Sequence, residues 1–239
     1  MRLPSSSPIG RTLATSRYGA RVRIGILGGT GPAGRSLAAR LADVGYEVVM
    51  GSRSRYRAME IRDALVATWP DKGLAIEAGD NTDAADGDVV VLATPWDGAT
   101  ETAVLVAGKL SGKVVISMAN ALARIAGEFQ PLVPPRGSVA ASLQAALPDS
   151  MVAAAMHHLP AKELGMLEHP IESDVLICSD HPHATEVTSE ILRRIPGLRP
   201  LDAGGLSNAT PIEAFTAVML QLNVRYKTRV AVKFTGIDE

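Results

Sequence analysis

Three observations in the sequence predict an α/β fold built on a doubly wound parallel sheet. An apolar run at residues 24–27 feeds straight into glycines spaced Gly29-x-Gly31-x-x-Gly34. Short apolar runs then alternate with longer amphipathic ones, the pattern of parallel strands joined by right-handed helical crossovers. The runs at 88–93 and 113–117 are apolar almost throughout, as strands covered on both faces should be.

Taken in order, residues 21–27 read as the first strand and 32–44 as the first helix. Leu37, Ala38 and Leu41 lie on one helix face, and Gly45 stands in the position of a C-cap. Residues 47–50 form a short second strand. The second helix, 55–68, is stopped by Pro70. A third strand is expected at 74–78, and Asp80-Asn81-Thr82-Asp83 reads as a turn into a short helix. The fourth strand follows at 88–93, a helix at 98–108 and the fifth strand at 113–117. Residues 121–136, with Pro131, Pro134 and Pro135, read as loop. A helix at 138–147 precedes an apolar strand at 151–156 that can join the same sheet. Strands at 174–179 and 199–202 flank an amphipathic helix at 184–195. Thr210-Pro211-Ile212-Glu213 has the form of a capping box with proline at the first helical position. The helix it opens, ending near Tyr226, carries Ile212, Phe215, Met219 and Leu222 at core-facing spacing.

The 239 residues are 46% apolar, enough to bury the core of one or two small domains. A net charge of −1 argues against nucleic acid as a partner. No apolar run is long enough to span a bilayer, so no membrane partner is expected. Cys178 is the only cysteine, which leaves no intrachain disulfide and fits a reducing cytoplasm. The five histidines lack metal-site spacing, so no metal is expected. Residues 1–20 are rich in Ser, Arg and Pro, show no hydrophobic period and read as a disordered tail. The expected organisation is a Rossmann-type nucleotide-binding domain at 21–157 and a small C-terminal α/β cap at 158–239. Ligand is expected across the carboxyl ends of the strands, under the cap.

The glycines carry the nucleotide chemistry. Gly29 permits the tight turn, Gly31 lets a pyrophosphate approach the backbone, and Gly34 lets helix and strand pack closely. The helix they open offers free N–H groups to the phosphates. The second strand ends in Gly51-Ser52-Arg53, with no carboxylate to take a ribose 2′-hydroxyl. Ser52 can donate to a 2′-phosphate and Arg53 can neutralise it, with Arg55 and Arg57 adding charge, so NADP(H) is expected over NAD(H). No Gly-x-Ser-x-Gly elbow and no Tyr-x-x-x-Lys pair is present, which disfavours acyl transfer and short-chain dehydrogenase chemistry. His157 and His158 follow an apolar strand where site residues are expected. They can donate to a ligand carbonyl or simply fill a crevice. Arg225, Lys227, Arg229 and Lys233 form a basic C-terminal stretch.

Gly28-Gly29-Thr30-Gly31, Gly51-Ser52-Arg53, Thr94-Pro95-Trp96 and His157-His158-Leu159-Pro160-Ala161 resemble the NADPH-dependent reductases of the 8-hydroxy-5-deazaflavin coenzyme F420. Asp202-Ala203-Gly204, Leu206-Ser207-Asn208 and Lys233-Phe234-Thr235-Gly236 extend the resemblance over nearly the whole chain. It implies direct, reversible hydride transfer between NADP(H) and coenzyme F420. It implies nucleotide contacts from Gly29, Thr30, Gly31, Pro32, Ala33 and Gly34, from Ser52, Arg53 and Arg57, and from Thr94, Pro95, Ala119, Asn120 and Ala161. His157, as an orienting group, and Leu159 would border the deazaflavin. A homodimer is a further expectation. The sequence departs from the family at Met118-Ala119-Asn120, at Gly205 and at Thr210-Pro211. Two other readings are an NADPH-dependent reductase of a flavin or imine and a non-enzymatic NADP sensor.

Overall fold

The alternating pattern resolves into a layered α/β structure, a computed structural model that describes residues 22–237. The tail expected at residues 1–20 lies outside the described residues. In chain order the elements are β1 (Arg23–Leu27), α1 (Pro32–Asp43), β2 (Glu47–Ser52), α2 (Arg55–Thr68), β3 (Ile76–Asp80), α3 (Asn81–Ala84), β4 (Val89–Leu92), α4 (Ala99–Val104), α5 (Ala107–Leu110) and β5 (Val114–Ser117). Then come β6 (Leu122–Ile125), β7 (Glu128–Pro131), α6 (Val139–Ala146), β8 (Met151–Ala154), α7 (Ala161–Leu164), β9 (Ser173–Ser179), α8 (Pro182–Arg193), β10 (Leu198–Asp202) and α9 (Ala209–Tyr226).

Among the described residues, eight strands form one sheet in the order β10-β9-β8-β5-β4-β1-β2-β3. The strands from β3 to β8 are parallel, and β9 turns antiparallel to β8 through Ala153↔Ser179 and Ala154↔Cys178. The order reverses beside β1, and the crevice above that switch point is where this architecture binds ligand. Residues of alternating sides feed two cores. Ile24, Ile26, Met50, Val91 and Ile116 pack under α1 and α8, whereas Val49, Val90, Leu92, Val115 and Val152 pack under α4 and α6. This double burial is why the strands read as continuous apolar runs. Residues 158–237 share the sheet through β9 and β10, and α9 returns against the β6–β7 hairpin and the segments that follow β5 and β8.

Several expectations are corrected. Residues 122–131 form a hairpin rather than a loop, turned by Ala126 (φ 50°) and Gly127 (φ 87°). Both turn residues have positive φ, as a two-residue hairpin needs, but Ala126 is not a residue that signals it. The helix expected at 98–108 is broken, because the bend after Val104 buries Val106 and Leu110 while leaving Leu105 exposed. The third strand begins two residues late, at Ile76. Thr210-Pro211-Ile212-Glu213 is no capping box: α9 starts at Ala209, and Glu213 caps a different helix. Pro211 is tolerated because the N–H groups of the first turn have no intrahelical acceptor.

Arg40 of α1 is buried, and its five N–H donors all reach main-chain carbonyls of one distant segment. Nε donates to Leu164 (3.0 Å), Nη1 to Leu167 (3.4 Å) and His169 (3.1 Å), and Nη2 to Glu163 (3.1 Å) and Met166 (2.7 Å). Burial lowers its pKa below the ordinary arginine value. Replacing Arg40 by Met should keep the aliphatic packing, orphan the carbonyls of Leu164, Leu167 and His169 and cost about 3–5 kcal/mol. Urea denaturation measures the loss, and hydrogen exchange should show it concentrated at residues 161–169. Arg40→Lys, with three donors, should fall between.

Candidate active site

The site begins where β1 ends. Gly28 has φ +72°, a left-handed conformation that favours glycine, and the methyl of Thr94 packs where a Cβ would project. The turn therefore depends on Gly28, not Gly29 as the spacing suggested. Gly29 is required by contact instead: a Cβ there would meet Met50 Cγ at 2.5 Å. Its N–H donates to Gly51 O at 2.8 Å, which ties the turn to β2. A Cβ on Gly34 would lie 2.8 Å from Gly29 Cα, so helix and turn touch backbone to backbone. At Gly31 the protein offers only ordinary contacts, Gly28 O at 3.6 Å and Ala93 O at 4.0 Å. A Cβ would fit at Gly31, so no contact within the described residues requires glycine there. Gly31 is the N-cap of α1 with no side-chain cap, so the first-turn N–H groups of Ala33 and Gly34 are left uncapped, beside Thr30 and Pro32.

At the end of β2, Ser52 is buried and accepts the N–H of Ser54 at 3.3 Å, leaving its hydroxyl proton free. Arg53 and Arg57 are exposed and form no ion pair among the described residues. Arg55, expected to add charge for a phosphate, is instead bound by Asp80 (3.1 Å) and Asp83 (2.6 Å). This pair was missed because β3 had to be in register with β2, Ser52↔Asp80, to bring the acids there.

The next three groups follow β4, β5 and β8, which are neighbours in the sheet. Thr94 has a buried, unpartnered Oγ1 and precedes exposed Pro95. Trp96 packs against the core beneath α4. Ala119 is buried, and Asn120 is committed within the protein. Its Nδ2 donates to His157 O (2.9 Å), and its Oδ1 accepts from Thr216 Oγ1 (3.2 Å) on α9. The His157 ring is buried, and among the described residues neither nitrogen has a hydrogen-bond partner; the backbone of Met118 and Ala119 approaches it without meeting bonding geometry. Burial, with the neighbouring His158 adding to it, lowers its pKa to about 3, so the ring is neutral. A buried donor and acceptor without a protein partner leave this ring open to an ordered water or a ligand group. His158 is structural: its Nε2–H donates to Asp174 O at 2.8 Å. Leu159 is buried beside it, and half-buried Ala161 opens α7, which packs on α1. Thr216 and Glu213 went unrecognised, their only signal being polar residues on the inward face of an apolar helix.

The basic C-terminal stretch is partly neutralised. Arg229 pairs with Glu163 (2.8 Å) and Lys233 with Glu172 (3.2 Å). Among the described residues, no group of three or more His, Cys, Asp or Glu could hold a metal ion, and no helix is long and apolar enough to cross a membrane. A concavity of about 310 Å³ lined by Arg136, Gln144, Asp180, Ser207 and Thr210 lies elsewhere. Asp180 follows antiparallel β9 and so sits toward the amino end of β8, away from the glycine turn.

Comparison with known proteins bears on this constellation. A family model described as NADP oxidoreductase coenzyme F420-dependent matches residues 23–121. The F420-dependent NADP reductase of Methanocaldococcus jannaschii is 33% identical over 223 residues, covering 91% of this chain and 100% of its own. The chain belongs to the F420-dependent NADP reductase family. The F420-dependent NADP reductase of Methanothermobacter marburgensis is likewise 33% identical over 226 residues, 91% of this chain and 100% of its own. A solved structure of a candidate F420-dependent NADP-reductase from Arthrobacter sp. FB24 superposes with a TM-score of 0.72 at 22% identity. It covers 89% of this chain and 100% of that one. The imine reductase of Bacillus cereus BAG3X2 gives a TM-score of 0.58 at 19% identity over 86% of this chain and 61% of its own. These two likenesses show the fold.

Within this member of the F420-dependent NADP reductase family, α9 is anchored near the site by Glu213. Oε2 accepts Val139 N (2.8 Å) and Oε1 accepts Ala140 N (3.1 Å), at the start of α6. Burial raises its pKa from 4.5 to about 7, against the pull of the two N–H donors. A raised carboxyl pKa means that the folded state holds the proton more tightly. Stability is then fullest below pH 4.5 and is lost as pH rises through about 7, by about 3 kcal/mol. Glu213→Gln cannot titrate there. Chemical denaturation across pH 4–8 should show the variant gaining on the wild type by that amount, and a constant gap would refute the assignment.

Proposed function

We propose that the protein is an NADP-dependent oxidoreductase that transfers hydride reversibly between NADP(H) and coenzyme F420. The observation that carries it is the glycine turn at the uncapped start of α1, where no contact within the described residues requires glycine at 31, in a chain of this family. In this reading Gly29, Thr30, Gly31, Pro32, Ala33 and Gly34 cradle the pyrophosphate. Ser52, Arg53 and Arg57 take the 2′-phosphate. Thr94, Pro95, Ala119, Asn120 and Ala161 border the nicotinamide, with Asn120 acting through the backbone that it holds. His157 and Leu159 border the deazaflavin, His157 orienting it with a neutral N–H. The two coenzymes carry the chemistry, and the chain binds, aligns and dries them. Residues 21–157 are the NADP-binding part and 158–239 the part that covers it. The exposed apolar face of α9, with Phe215, Val218 and Leu222, supports a homodimer. A lone buried cysteine supports a cytoplasmic setting.

The deciding experiment mixes the protein with coenzyme F420 and NADPH deuterated at either face of C4. One face should deliver its label to deazaflavin C5, where the C–H bond does not exchange with water. Reduction with label lost to solvent from both isotopomers would exclude direct transfer. Reduction of a flavin or imine but not of F420 would change the acceptor, and nucleotide binding without any turnover would favour a sensor. Arg53→Ala should weaken NADPH binding about ten- to a hundredfold and leave NADH binding nearly unchanged. Equal weakening of both, read by fluorescence titration, would remove Arg53 from the 2′-phosphate.

A further inference from the structure

The side chain of Asn81 crosses from the end of β3 to the glycine turn at the end of β1, passing over β2 between them. The crossing is possible because β2 carries glycine there: a Cβ on Gly51 would lie 3.0 Å from Asn81 Oδ1. The oxygen accepts the N–H of Gly28 at 3.2 Å, and Gly28 is the residue held at φ +72°. Only the carboxamide oxygen can accept from an N–H, which fixes the orientation of the group. Nδ2 makes no hydrogen bond to any described residue, and the side chain is half-buried. Asn81 follows Asp80, the register partner of Ser52, so this free donor lies by the end of β2. That is where this fold reads the ribose 2′ position. The neighbouring charges are committed. Asp80 accepts the N–H groups of Thr82 and Asp83, and both acids hold Arg55.

We propose that Asn81 is a two-ended positioning and specificity residue for the dinucleotide. Its oxygen holds the glycine turn that receives the pyrophosphate, and its amide donates to the 2′-phosphate of NADP(H). The inference rests on the NADP reading above. The two ends are separable. Aspartate keeps an acceptor for Gly28 N–H but replaces the donor with a negative charge, the arrangement that selects a ribose hydroxyl and repels a phosphate. Alanine removes both ends.

The test is titration of wild type, Asn81→Asp and Asn81→Ala with NADPH and with NADH, beside thermal melts of the unliganded proteins. Asn81→Asp should lose about ten- to a hundredfold in NADPH affinity while NADH affinity holds or rises. Asn81→Ala should lose about three- to tenfold for both nucleotides, since it loosens a turn that both use. Wild-type affinities for NADPH in both variants would overturn the inference, as would equal losses of NADPH and NADH in Asn81→Asp. Wild-type protein that binds neither nucleotide would overturn the NADP reading itself, a result distinct from either.

Discussion

Every N–H of the Arg40 guanidinium is committed to a main-chain carbonyl of residues 163–169, more than 120 residues away in sequence. This fixes how the chain beyond β8 returns to the nucleotide loop. The start of α1 is also the glycine turn, so whatever is fastened to α1 is fastened relative to that turn. Ser36 touches Gly165 one turn before Arg40, close enough that a Cβ on Gly165 would lie 2.9 Å from Ser36 Oγ. The short α7 and the turns after it close on themselves through backbone bonds such as Met166 N to Glu163 O and His169 N to Met166 O, but leave the carbonyls of Leu164, Leu167 and His169 open. A buried fork of five donors satisfies what their ends leave open, and no neutral side chain offers as many.

Helix α9 is attached by a different device with the same effect. Near its start, Glu213 receives two N–H groups of α6. One turn on, Thr216 donates toward Asn120 Oδ1 (3.2 Å) and His157 O (3.3 Å). The first half of the helix is thereby tied both to the α6 side and to the ends of β5 and β8. Past α9, Asp174 collects the tail. Its carboxylate takes Arg199 in two bonds (2.8 and 2.7 Å) and the N–H of Phe234 (2.6 Å). Arg199 beside it holds that carboxyl below its usual pKa. Side chain to backbone bonds, rather than apolar contact alone, decide where the covering segments lie.

That distinction explains what the sequence could reveal. The nucleotide turn was legible because its constraints are local: Gly28 to Gly34, then Ser52 and Arg53, fall within one strand–helix–strand unit. The strands were legible because both sheet faces are apolar. Assigning the left-handed position to Gly29 instead of Gly28 shows the limit of spacing, which counts glycines without saying which one bears the turn. The charge of Arg55 was misjudged because its partners arrive from β3. Asn120, Glu213 and Arg40 hid their roles for a similar reason. Each bonds to backbone 37 to 129 residues distant, and a carbonyl or N–H leaves no mark in the residue type that carries it. Arg40 gave one hint, a cation on the helix face shared with Leu37, Ala38 and Leu41.

The distribution of charge follows from the same economy. At the end of β2, the arginine nearest to acids is neutralised, while Arg53 and Arg57 stay exposed and form no ion pair among the described residues, so positive charge is directed outward where a 2′-phosphate would approach on the proposed reading. At the other end, the strand termini present neutral groups: a buried imidazole held uncharged, a threonine hydroxyl without a partner, and small side chains. A neutral, dry surface suits two aromatic rings exchanging a hydride, because a fixed charge between them would favour one redox state of either ring over the other. Reversible transfer needs the two coenzymes held close with little electrostatic preference. On the proposed reading, a site built from backbone, neutral donors and remote cations meets that requirement without a nucleophile at the reacting carbons.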